Sequence, residues 1–144
     1  MGKNRGKSIL SILMVVSMLF SLLPTTVWAS SGVSVSDYES LKSALISSAN
    51  GTTVQLNADI TYGQSIEVSK NITLDLNGRT LTFEGTDENK KSLVTGIAFN
   101  GSGTFTIKDS GGNGKLIGSK TYSSILGNTG SGILDLASGT ISTD

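Results

Sequence analysis

The chain has no cysteine, no histidine and a single proline. Without cysteine there are no disulfides and no thiolate sites, so folding stability has to come from packing and hydrogen bonding. Without histidine, zinc sites of the usual kind and histidine-centred acid–base chemistry are excluded within this chain. The one proline, Pro24, lies close to the start, so nothing after it interrupts a strand ladder. Basic and acidic residues balance at 11 each. No basic surplus exists to form a nucleic-acid footprint.

What is present begins with an export signal. Lys3, Arg5 and Lys7 precede the apolar run "SILSILMVVSMLFSLL" (8–23), and Val27-Trp28-Ala29 supplies a small-residue cleavage site. Residues 1–29 are therefore read as a secretory signal peptide cut between Ala29 and Ser30. The apolar run falls short of the roughly 20 residues a membrane-spanning helix needs. Three of the 11 basic residues lie in this signal, leaving eight against 11 acidic residues, a net charge of −3 on 115 residues. One domain, secreted or held at the cell surface of a bacterium, is the expectation. After cleavage neither a membrane nor a nucleic acid is an expected partner.

Residues 30–35 read as a polar linker and 36–50 as a helix. Ser36 and Glu39 have capping-box spacing, Tyr38, Leu41, Leu45 and Ala49 form one apolar face, and Asn50-Gly51 offers a left-handed stop. From there the period changes from 3.6 to 2. Alternating stretches follow at 52–56, 65–69, 72–76, 80–84, 96–100, 104–108, 115–118, 132–136 and 139–142. Turn residues separate them, among them Asn77-Gly78 and Gly111 to Gly114. "ITLDLNGRTLTFEG", "FTIKDSGGNGKLIG" and "LDLASGTIS" share one plan, and Leu74, Ile107 and Leu134 stand 33 and 27 residues apart. Matched units of that size are expected when each buries its inner face by stacking on the next.

"TLDLNGRTLT" (73–82), "GTFTIKDSGGNGKLIG" (103–118) and "GILDLASGTIS" (132–142) resemble phrases of the right-handed parallel β-helix, the pectate-lyase-like superfamily. The closest likeness is to repetitive secreted and surface proteins of Gram-positive bacteria. The helix followed by "GTTVQLNADIT" (51–61) is similar to the segment with which that family caps the open N-terminal end of its coil. The resemblance covers residues 36–142. It implies an all-β solenoid with an N-terminal capping helix over 36–50 and incomplete coils over 51–144, truncated at the C-terminus. The piece from residue 30 is expected to aggregate or stay partly disordered. The resemblance is specific for fold and not for function; repeats without clustered acids or bases make a non-enzymatic, adhesin-like scaffold displaying loops to polysaccharide, cell-surface glycan or host matrix the expectation. The alternative it leaves open is the first part of a polysaccharide lyase or glycoside hydrolase whose catalytic coils lie beyond residue 144.

The residues themselves lean away from an enzyme. By alternation Ile72, Leu74 and Leu76 face inward, and Thr73 and Asp75 face outward. Asp75, Lys108 and Asp135 are expected at equivalent outward places on successive strands, a solvated ladder of alternating charge. A lyase would instead use carboxylates on Ca²⁺ with Arg79 or Lys108 as the base, but calcium needs several clustered acidic oxygens. "GGNGKL" (111–116) has the glycines of a calcium-binding nonapeptide but Leu116 where the ligating Asp belongs, so it reads as a turn. No cofactor, metal ligand or catalytic residue is assigned. The polar loop 85–92 and the connection 119–129, where Tyr122 could stack on a sugar ring, are the places for a binding contact. Asp75, Arg79, Lys108, Asp135 and Tyr122 are thus the surface candidates.

Overall fold

A computed structural model describes residues 32–85, 94–119 and 123–143. The expected signal peptide, most of the 85–92 loop and Tyr122 lie outside the described residues. Among those described, no helix is long and apolar enough to cross a membrane.

These residues form β1 (Gly32–Val35), α1 (Tyr38–Ser47), β2 (Thr53–Leu56), β3 (Ile60–Tyr62), β4 (Ile66–Val68), β5 (Thr73–Asp75) and β6 (Thr80–Phe83). They continue with β7 (Val94–Phe99), β8 (Thr104–Lys108), β9 (Lys115–Gly118), β10 (Ser123–Asn128), β11 (Ile133–Leu136) and β12 (Thr140–Thr143). The fold is predominantly β, and all its strand pairings are parallel. Three sheets result, ordered β1-β2-β5-β8-β11, β3-β6-β9-β12 and β4-β7-β10. From β2 onward the chain passes through the five-, four- and three-stranded sheets in that order, three times, and then starts again.

Parallel pairing in register sets like on like. Val54, Leu74 and Ile107 are partners across β2, β5 and β8, and all three are fully buried. In the four-stranded sheet Ile60, Leu81 and Leu116 form a second apolar column. In the three-stranded sheet Ile66, Ile97 and Leu126 form a third. These columns meet in one core, joined by Phe83, Phe99 and Phe105. Tyr62 stacks on Tyr38, ring centroids 5.8 Å apart, and meets Phe83 at a tilt of 47° with centroids 5.2 Å apart. Its buried hydroxyl finds no partner among the described residues, and burial, together with Tyr38 nearby, pushes its pKa far up.

Several boundaries differ from the sequence reading. Gly32–Val35, expected within a linker, is a strand paired to β2, because parallel neighbours complete what a four-residue polar segment cannot signal alone. The helix starts one residue later than Ser36-based capping requires. Asp37 is the N-cap, accepting from the Ser40 amide at 2.8 Å, while the Ser40 hydroxyl accepts from the Asp37 amide at 3.3 Å. A carboxylate is the stronger cap at the positive end of the helix, and those bonds from Ser40 hold its pKa below the ordinary value. The helix stops at Ser47 with Ser48 extended, before Gly51 takes its positive φ of 83°. Leu41, Ala44 and Leu45 are buried, whereas Ala49 is exposed. α1 packs on β4, β1, β2 and β3.

Besides β1, two further strands, β3 and β10, have no counterpart in the sequence reading. β10 falls within the segment read as a connection, since "SSILGN" lacks a two-residue period. The unit length is also corrected. Ile107 pairs with Leu136, so the last spacing is 29 residues and not 27, while the 33 between Leu74 and Ile107 stands.

Truncating Leu74 to Ala removes the middle of a column that has no room to collapse. The expected loss is about 2–5 kcal/mol, read from the urea midpoint. Thr73→Ala, on the same strand but half-exposed, should stay within about 0.5 kcal/mol of the parent.

Candidate functional site

The densest polar arrangement lies where β5 and β8 end. Asp75 and Lys108 are register partners, so the turns that follow them, 76–79 and 109–114, are stacked. Asn77 (φ 50°) and Gly78 (φ 74°) carry the first turn through the left-handed region. Gly111 lies directly against it: a Cβ there would come within 2.3 Å of the Gly78 amide nitrogen.

Two carboxylates clasp these turns reciprocally. Asp75 accepts from the Asn77 amide in its own turn (3.0 Å) and from the Ser110 amide in the next (2.9 Å). Asp109 accepts from the Gly78 amide behind it (2.6 Å) and from the Gly111 and Gly114 amides of its own turn (3.1 and 2.6 Å). The clasp extends both ways. The Asn77 side-chain amide donates to the Leu56 carbonyl at 3.0 Å, and the Asp109 amide donates to the Ser138 hydroxyl at 2.7 Å. A second corner repeats the device with asparagine, as Asn50 accepts from the Asn71 amide and Asn71 from the Thr104 amide. Asp59 does the same for Thr80.

This overturns the solvated ladder in two respects. Asp75 is only 2 % exposed, because Lys108 and the Ser110 turn, supplied more than 30 residues later, cover it. Lys108 remains its partner, Nζ to Oδ2 3.4 Å, with the lysine side chain still half-exposed. Asp135 does not join them: it is exposed and pairs in register with Thr106, two positions away from Lys108. Arg79 is also exposed, and its hydrogen bonds in the described structure are those of its backbone, to Leu76 and Lys115. The structure therefore brings together Asp75 and Lys108 only, and places Arg79 and Asp135 apart from them. Asp109 was missed. The signal for it was a carboxylate just before "SGGNG", where small residues leave backbone amides free to converge on an anion.

Burial by itself would raise the Asp75 pKa, but the amides of Ser110 and Asn77 and the Lys108 ammonium outweigh it and hold it below the ordinary value. Asp109 is held below it chiefly by the Gly114 amide, with Gly78, Gly111 and Gly112 adding to the effect against some desolvation. Donors converge on both groups, an arrangement that keeps them ionised and leaves their oxygens engaged. Among the described residues no cluster of acidic side chains suited to a metal ion is present. No protein-family profile, curated protein or solved structure matches the chain.

Both carboxylates have pKa values depressed on folding, so their contribution is complete above the ordinary value of 3.8 and is lost as pH falls below it. An acid titration followed by circular dichroism should therefore show the parent unfolding below that pH. Asp75→Asn and Asp109→Asn should each be less stable than the parent at neutral pH, and the gap should narrow as pH falls below 3.8.

Proposed function

We propose that the chain is an exported, non-enzymatic scaffold built as a parallel β-helix of the pectate-lyase-like kind, which displays its loops at the cell surface. The ordered passage through three parallel sheets supports the solenoid reading, as do the apolar columns that each unit completes on its neighbour. The signal-like residues 1–29 support export and secretion.

One observation carries the non-enzymatic reading. The buried carboxylate that a lyase would direct at calcium or at a uronate, Asp75, instead accepts two backbone amides and a lysine, and Asp109 beside it accepts three amides. A general base has to present a free lone pair within reach of the substrate, and these oxygens are already engaged in holding two turns together. The partner we propose is a polysaccharide or cell-surface glycan, met by the loops that leave the stacked strands.

The test combines location, binding and turnover. Expression in a Gram-positive host should release or display a chain beginning at Ser30. Purified protein should be retained by insoluble cell-wall or plant polysaccharide, with no unsaturated uronate appearing by ultraviolet absorbance. Retention should survive Asp75→Ala, Arg79→Ala and Lys108→Ala in every variant that remains folded. Turnover of polygalacturonate that disappears in one of these folded variants would overturn the proposal.

A further inference from the structure

Asparagine is followed by glycine at four places, Asn50-Gly51, Asn77-Gly78, Asn100-Gly101 and Asn113-Gly114. Such a pair is chemically labile, because a glycine amide nitrogen, unshielded by any side chain, can attack the preceding asparagine side-chain carbonyl. The attack requires that nitrogen to shed its proton, so whatever accepts the N–H decides which pair reacts. The Gly51 amide donates to the Asn71 carbonyl at 2.7 Å. The Gly78 and Gly114 amides both donate to Asp109, each at 2.6 Å. A carboxylate in that position opposes deprotonation, since a second negative charge would form beside it. Gly101 differs from the other three. Its carbonyl accepts from the Gly132 amide at 3.0 Å, but among the described residues its N–H makes no hydrogen bond.

We propose that Asn100 is a site of spontaneous covalent modification, converting to aspartate and isoaspartate through a succinimide, while the engaged glycine amides preserve the other three pairs. The Gly101 nitrogen gives its proton to water or hydroxide and bonds to Asn100 Cγ. The Cγ–Nδ2 bond breaks, and Nδ2 leaves as ammonia with a proton taken from water. Water then opens the imide. Cleavage between Cγ and the Gly101 nitrogen leaves aspartate, and cleavage between the Asn100 main-chain carbonyl carbon and that nitrogen leaves isoaspartate. Nothing is oxidised or reduced. The Asn100 side chain is exposed, and its one hydrogen bond among the described residues runs from Nδ2 to Glu67 Oε2 at 3.3 Å. Little therefore holds it away from its own backbone.

The position gives the reaction a structural consequence. Asn100 follows β7, the middle strand of the three-stranded sheet. Its amide donates to the Val68 carbonyl at 2.9 Å, and the Thr129 and Gly130 amides donate to the adjacent Phe99 carbonyl at 2.8 and 3.1 Å. A carboxylate at residue 100 meets the Glu67 carboxylate where an amide donor stood, so attraction becomes repulsion. Isoaspartate lengthens the backbone by a methylene beside Gly101, which is packed so closely that a Cβ there would come within 2.4 Å of the Ser69 carbonyl. The product thus loosens the junction of β4, β7 and β10.

Incubating the folded protein in mildly alkaline buffer, with peptide mapping by mass spectrometry and isoaspartyl methyltransferase labelling, tests the proposal. Asn100 should convert about tenfold faster than Asn77 and Asn113, the rate equivalent of one charge-assisted hydrogen bond. In urea, where the turns are undone, all four pairs should convert at similar rates. Asp109→Ala, verified as folded by circular dichroism, should accelerate Asn77 and Asn113 and leave Asn100 unchanged. Asn100→Gln should remove most of the isoaspartate that the folded chain forms, a result independent of whether Asp109→Ala folds. Equal conversion of all four pairs in the folded parent, or conversion of Asn113 ahead of Asn100, would overturn the proposal. So would an Asn100 that stays intact in the folded protein while the urea-treated chain converts.

Discussion

Parallel strands in exact residue correspondence impose one constraint on everything else: whatever occupies a position in one unit lies about 4.8 Å from its counterpart in the next. For Val54, Leu74 and Ile107 this produces an apolar column without gaps. For polar positions the same rule is a hazard, because like charges would stack. The chain meets it by setting Asp75 against Lys108. It also places carboxylates and carboxamides at the corners, where the next unit offers backbone amides. Register and corner chemistry thus depend on each other. Leu136 rather than Leu134 follows Ile107, and the same alignment brings the Ser138 hydroxyl to the Asp109 amide.

That dependence explains why a chain without disulfides relies on so few charged groups. Burying a carboxylate is costly unless it is paired and hydrogen-bonded. Asp75 satisfies both conditions, and Asp109, less enclosed, takes three amides from turns whose glycines let the backbones approach closely. Each bond joins residues in neighbouring units or tightens one turn, so the corners fix the spacing that the apolar columns then fill. The scaffold role proposed above rests on this use of the acidic residues, since groups that hold turns in place are not poised for proton transfer.

Much of this was legible in the residues. The strands around Leu74, Leu81, Ile107 and Leu116 were readable because alternation and Asn-Gly or Gly-rich turns are local signals, and β8 and β9 have the bounds that the alternation gives. β1 and β10 were not, because "GVSV" is too short and "SSILGN" has no two-residue period; both exist through their neighbours. The burial of Asp75 could not be read from 72–76, since the groups that cover it come from 108–110. Asp109 was closer to legible, as an acid beside a run of glycines is a pattern with a physical meaning. Tyr122 and the 86–92 segment lie outside the described residues.

The register itself admits a direct measurement, made clean by the absence of native cysteine. Thr73 and Thr106 are partners across β5 and β8, while Thr104 lies two residues away on the same strand. Register partners fall within the Cα separation of about 4.4–6.8 Å that a disulfide needs, and the offset pair falls beyond it. Mild oxidation should therefore close an intramolecular bridge in Thr73→Cys/Thr106→Cys and leave Thr73→Cys/Thr104→Cys reduced. Equal bridging of both pairs, or bridging of the second alone, would contradict the in-register parallel stack.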